Sequence, residues 1–189
     1  MAGADTSQRI LDIAERLVQT RGFNGFSYAD IARSLRVTKA SLHYHFPAKA
    51  GLGKRLIERY EQNFLNALAA IDRGGGGARS KLDAYVAIYT AVLRNDRMCL
   101  CGMLAAEFAT LPKPMREEMR RFFDENDRWL TVTLEHGRTT GELEFSGPAL
   151  QVARTLVGLL EGAMMIARSY GEVGRFQAVA ERALADLAA

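Results

Sequence analysis

Between Thr38 and Tyr44 the chain sets hydroxyl, ammonium, imidazole and phenol groups in close succession. They are carried by Thr38, Lys39, Ser41, His43 and Tyr44, with the methyl of Ala40 among them. Such groups donate hydrogen bonds to anionic oxygens and to the edges of nucleobases. Contacts to phosphate fix register without reading sequence, and Ser27, Thr38, His43, Tyr44 and Lys49 are the candidates for that role. Base readout falls to Lys39, Ala40, Ser41 and Tyr44, where Lys39 can reach a guanine O6/N7 edge and Ala40 a thymine methyl. His43 and His45 do not form a metal site, because residues two apart on a helix point about 200° apart.

A second set of reactive side chains lies further on. Cys99 and Cys101 are too few and too close for a disulfide framework. They read either as small buried hydrophobes or as a thiol sensor for oxidants and electrophiles, with Arg97 and a helix first turn favouring thiolate at Cys99. Tyr85, Tyr89, Met103, Phe108, Trp129 and Met164 read as core or as the lining of an apolar effector pocket, with Glu107 or His136 to orient the guest. No cofactor motif accompanies them.

The elements that must position these groups follow from hydrophobic spacing. Ser27 is an N-cap, and Asp30 can reach back to it as in a capping box. Ala29, Ile31, Ala32 and Leu35 give a short helix one apolar face, the stretch Leu35–Val37 breaks it, and Thr38 caps the next helix. Leu35, Val37, Leu42 and Phe46 are core positions. Two short helices around a tight turn, with this chemistry on the second, are what a helix-turn-helix offers a DNA major groove. Ahead of it, a helix capped by Thr6 or Ser7 buries Ile10, Ile13, Ala14, Leu17 and Val18, ends at Gly22, and leaves Phe23 and Phe26 to pack beneath the motif.

After Pro47 the series Leu52, Leu56, Tyr60, Phe64, Leu68 and Ile71 carries one long helix to about Asp72, and Gly74–Gly77 ends it. The pattern then stays helical over 79–94, over 98–110 as a segment buried all round, and from the Pro112/Pro114 pair to about Arg138. Two more helices follow, over 148–170 and 175–187. In the first of these Leu150, Val157, Leu160 and Met164 form a stripe, and Gly158 and Gly162 stand one turn apart. The expectation is an all-α chain of about nine helices. It divides into a three-helix helix-turn-helix head over 1–48 and a ligand-binding and dimerisation region over 49–189.

The 189-residue chain has a net charge of +3, unevenly spread. Residues 33–59 hold Arg33, Arg36, Lys39, Lys49, Lys54, Arg55 and Arg59 against Glu58 alone, a net +6 that leaves the rest at −3. A basic patch coinciding with the two-helix motif points to a polyanion partner. No transmembrane run or signal-peptide core is evident, so the expected setting is cytoplasmic, with no membrane partner.

Over about residues 9–52 the chain resembles the TetR family of bacterial transcriptional regulators. The residues that carry the likeness are Ile31, Ala32, Val37, Thr38, Ala40, Leu42, His45, Phe46, Lys49 and Leu52. Two positions depart from the pattern: Arg36 stands where a turn glycine is common, and His43 where a phosphate-contacting tyrosine usually lies. The resemblance implies an all-helical dimer that binds an operator in double-stranded DNA and lets go when a small-molecule effector occupies the C-terminal region. The homodimer is then expected through the helices over 148–170 and 175–187. Competing readings are a small helical thiol enzyme centred on Cys99 or Cys101, and a helical protein-interaction module using the basic patch.

Overall fold

The computed structural model describes residues 2–188, with side chains from Thr6 onward. Among the described residues it has nine α-helices. They are α1 (Ala2–Arg21), α2 (Tyr28–Leu35), α3 (Lys39–His45), α4 (Lys49–Arg73), α5 (Ala78–Arg94), α6 (Leu100–Ala106), α7 (Lys113–Thr140), α8 (Ala149–Tyr170) and α9 (Val173–Ala185). A 3-10 turn, Phe108–Thr110, follows α6. The all-α expectation holds. The first helix starts at Ala2, so Thr6 and Ser7 lie inside it and do not cap it.

The chain forms two compact units, one made of Met1–Gln62 with Cys99–Arg121, the other of Asn63–Met98 with Phe122–Ala189. In the first unit α1 packs on α2 and α6, burying Ile10, Ala14, Leu17, Val18, Ile31, Leu35 and Leu42. Phe23 and Phe26 meet edge to face at 6.0 Å. Gly53 is needed where α4 passes this core, since a Cβ there would stand 2.8 Å from the Phe23 ring. Ion pairs fasten the same helix: Arg59 reaches Asp12 and Glu15 of α1 at 2.6 Å each. Arg121 holds Glu61 at 2.9 Å, and Lys54 lies 3.5 Å from Glu118. The segment around α6 is not buried all round, because Ala105 and Ala106 are exposed.

In the second unit α5, α8 and α9 pack on one another around Leu82, Leu93, Ala153, Leu160, Met164, Phe176 and Leu184. Leu150 departs from the expected buried stripe, being 39% exposed. By length and composition α8 could cross a membrane, with a mean hydropathy of 1.4 over its most apolar window. Only a third of that window is buried, at 33%. Met165, Ile166 and Tyr170 are 55%, 57% and 61% exposed along its outer side. Gly158 and Gly162 are exposed too, with open space where a Cβ would stand.

Candidate nucleic-acid interface and effector region

The helix-turn-helix is built by local hydrogen bonds. The Asp30 carboxylate accepts both the backbone N–H and the hydroxyl of Ser27, each at 2.8 Å. Those bonds hold the Asp30 carboxyl below its usual value. The α2 C-terminus closes with Arg36 in the left-handed region, φ 57°, while Val37 N–H donates to Ala32 O at 3.1 Å. Thr38 Oγ1 accepts from Ser41 N–H at 3.3 Å, which caps α3 as expected. Tyr28, buried, donates its hydroxyl to Phe46 O at 2.7 Å and so ties the start of α2 to the end of α3. Burial pushes its phenol above the usual value.

Outside this frame Thr38, Lys39, Ala40, His43 and Tyr44 are exposed, Tyr44 at 84%, and Ser41 is half-buried. His43 lies on Tyr28, ring centroids 4.8 Å apart, with Nδ1 3.3 Å from Pro47 O. An open groove of about 390 Å³ gathers Ser27, Tyr28, Ala29, Lys39, His43 and Lys49. The basic window is less free than its composition implied. Lys54, Arg55 and Arg59 are ion-paired to carboxylates, which leaves Arg36 and Lys39 as the exposed cations nearest the turn.

Lys49 is engaged from within. Its ammonium donates to Phe23 O and Phe26 O and lies 4.5 and 4.2 Å from the centroids of their rings. Burial lowers its pKa from the ordinary lysine value. The same loop is held on its donor side by Glu107, whose carboxylate accepts Phe23 N–H at 2.5 Å and Asn24 N–H at 3.1 Å. Asn24 Nδ2 also donates to Thr110 Oγ1 at 2.7 Å. Gly22, at φ +80°, is the residue this approach requires, since a Cβ would come within 2.7 Å of Glu107 Oε1. Glu107, expected to orient an effector, is thus a clamp on the loop before α2. Nothing in its local sequence marks that role, because its partners are backbone groups more than eighty positions away.

The remaining effector candidates divide between the two units. Met103 and Phe108 belong to the first with Glu107, and the Arg116 and Arg120 guanidinium groups lie 4.9 and 5.1 Å from the Phe108 ring centroid. Tyr85, Tyr89, Trp129 and the fully buried Met164 belong to the second. There Tyr85 and Tyr89 sit among Phe64, Phe122, Trp129 and Phe176 in ring-to-ring contact. Their centre is polar: Tyr85 donates to Asn126 Oδ1 at 2.7 Å, and the two tyrosine hydroxyls lie 3.0 Å apart. Asn126, fully buried, went unremarked in the sequence, although it sits one turn after Phe122 on the same helix face.

Trp129 stacks on Tyr85 at 5.6 Å and donates Nε1–H to Asp72 at 3.0 Å. Lys81 and that indole hold the Asp72 carboxyl below its usual value. Two surface grooves, of about 290 and 300 Å³, share Trp129, Asp72 and the exposed Val132, and His136 lines the second. Cys99 and Cys101 are buried and not disulfide-bonded. Cys99 precedes α6, and the Tyr60 hydroxyl is 3.7 Å from its sulfur.

Comparison with known proteins agrees with this geometry. Residues 10–56 match "Bacterial regulatory proteins, tetR family", and residues 77–183 match "Tetracyclin repressor-like, C-terminal domain". The HTH-type transcriptional repressor NemR of Escherichia coli (strain K12) is 29% identical over 170 residues, covering 87% of this chain and 84% of its own. A TetR-family regulator from Agrobacterium tumefaciens superposes with a TM-score of 0.96 at 31% identity, covering 99% of this chain and all of its own. Escherichia coli NemR in its reduced form gives 0.82 at 27% identity, covering 97% of each chain. These relatives are named regulators, which sets aside the thiol-enzyme and interaction-module readings. The chain belongs to the TetR family of bacterial transcriptional regulators, DNA-binding proteins rather than enzymes.

Proposed function

We propose that the protein is a ligand-responsive repressor, acting in the cytoplasm, which binds a near-palindromic operator as a homodimer. The observation that carries this reading is the exposed face of α3, where Lys39, Ala40, His43 and Tyr44 stand outward on a frame fixed by buried hydrogen bonds. Lys39, Ala40, Ser41 and Tyr44 read bases, and Ser27, Thr38, His43 and Tyr44 hold phosphates. Lys49 serves the interface by fixing the loop that presents Ser27, not by reaching the duplex.

Two copies pair through the outer side of α8, with α9 beside it, as a two-fold four-helix interface. The exposed row Met165, Ile166 and Tyr170 supports this, and the open glycines let a second helix come close. Two-fold pairing matches half-sites about one DNA turn apart, roughly 34–36 Å. The effector is a modest apolar or aromatic molecule entering beside Trp129 and displacing the Tyr85–Tyr89 cluster, or an electrophile reaching Cys99. NemR's description as a reduced form supports the thiol alternative. Release follows from a differential affinity of the effector for the two states of the dimer, with α4 as the continuous helix that moves.

The test is selection of duplexes from a random pool by the full chain, followed by gel retardation. A near-palindromic site should emerge. Lys39→Ala should relax preference at one position in each half-site, with about 1–3 kcal/mol lost there. A thiol-reactive electrophile or an aromatic probe should then release the duplex, and Cys99→Ser with Cys101→Ser decides between the two effector classes. Failure to enrich any duplex would overturn the reading.

A further inference from the structure

On α3, an imidazole, His43, stands where the family pattern has a tyrosine. The ring has two neighbours, Tyr28 at a tilt of 57° with centroids 4.8 Å apart, and Pro47 O 3.3 Å from Nδ1. Nδ1 and Nε2 lie on different sides of an imidazole, so a ring that meets Pro47 O with Nδ1 turns Nε2 away from it. His43 is exposed and lines the groove with Ser27, Lys39 and Lys49. A neutral imidazole has one N–H. If the proton sits on Nδ1 it satisfies Pro47 O, and the Nε2 lone pair then faces the phosphate. If it sits on Nε2 it can donate to the phosphate, and two lone pairs then oppose each other at Pro47 O. Imidazolium alone donates in both directions.

We propose that His43 is a proton-dependent phosphate ligand: DNA binding takes up a proton at each reading head, so affinity is set by pH. This rests on the DNA-binding reading above and assigns its chemistry at one contact. The reaction is a proton transferred from solvent to the ring as the phosphate oxygen arrives, with no other bond made or broken.

The groups around the ring keep other titrations apart. On α2, Tyr28 is held neutral by its raised pKa, and Asp30 is held ionised by its Ser27 bonds. On α3, Lys39 lies in the same groove, while Tyr44 and His45 meet each other edge to face at 5.2 Å. On α4, Lys49 is committed to the Phe23 and Phe26 carbonyls and feels the charges of Glu107 and Asp30. The chain has three histidines, His43, His45 and His136.

The sign is fixed by linkage. Imidazoles ordinarily charge between pH 5 and 8, and a phosphate partner favours the charged form. The affinity gained is therefore full at low pH and lost as pH rises through the value of the complex. Each unit by which binding raises that value is worth tenfold per head.

The experiment measures affinity for the duplex enriched by the full chain, from pH 6 to pH 8 at constant salt. Wild-type affinity should rise about three- to tenfold per head toward pH 6. The dependence of log affinity on log salt should steepen there by up to about 0.9 per head, as one more phosphate charge is neutralised. His43→Tyr should still bind, with the pH dependence gone and the salt slope constant, whereas His45→Gln should keep both. Any contribution from Lys49 would survive His43→Tyr and so be separable. A flat wild-type profile, or an unchanged one in His43→Tyr, would overturn the proposal while leaving DNA binding intact. Absence of binding at every pH would instead remove the reading beneath it.

Discussion

Arg36 is the residue at which this head departs most clearly from conformational ease. A side chain in the left-handed region costs roughly 1–2 kcal/mol, of which glycine would return part as extra freedom of the unfolded chain. Arg36→Gly should therefore stabilise the protein by about 0.5–1 kcal/mol, read as a higher midpoint in urea with an unchanged slope. The turn was marked in advance only through the family resemblance, in which Arg36 stands where a glycine is common, and glycine suits a positive φ. The fate of Lys49 was not marked at all. A lysine in a helix first turn looks like an exposed cation, and only the fold reveals that two carbonyls and two phenylalanine rings enclose it.

Among the elements, the loop from Gly22 to Phe26 is held from both sides, its N–H groups by Glu107 and its carbonyls by Lys49. Glu107→Ala leaves the Phe23 and Asn24 donors without their acceptor, at a cost of about 1–3 kcal/mol. The expected result is loss of hydrogen-exchange protection at the Phe23 amide and weaker DNA binding, with chain association unchanged. Glu107→Gln, which keeps an acceptor oxygen, should recover part of both. Helix positions were read well from spacing, because apolar residues every three or four positions leave few alternatives. Helix ends and partners were read less well. Thr6 and Ser7 looked like caps because the pattern begins there, while α1 starts at Ala2. The side of α6 that carries Ala105 and Ala106 looked buried because alanine is apolar, yet its position on the helix leaves it outside.

For the molecule as a whole, the proposed pairing of two copies through the outer side of α8 has a direct test. Ile166→Lys would bury an ammonium against a second copy. Association should weaken on the order of a hundredfold, roughly 3 kcal/mol, giving monomers in sedimentation and poor retention of a two-half-site duplex. The sequence foretold this helix and its paired glycines, since neither depends on distant contacts. It did not foretell that Met103, Glu107 and Phe108 fall in a different compact unit from Tyr85, Tyr89, Trp129 and Met164. Aromatic and sulfur side chains suit a pocket and a core equally, and spacing along one helix cannot say which helices will share them.

Trp129 is the single tryptophan of the chain, stacked on Tyr85 and bonded to Asp72 beside two open grooves. The protein therefore carries one native fluorophore, with all indole emission arising from a single place. A guest that parts the indole from Tyr85 or from the carboxylate changes the colour and intensity of that light without any added label. Compounds can then be screened by titration in a cuvette before a single operator sequence is known.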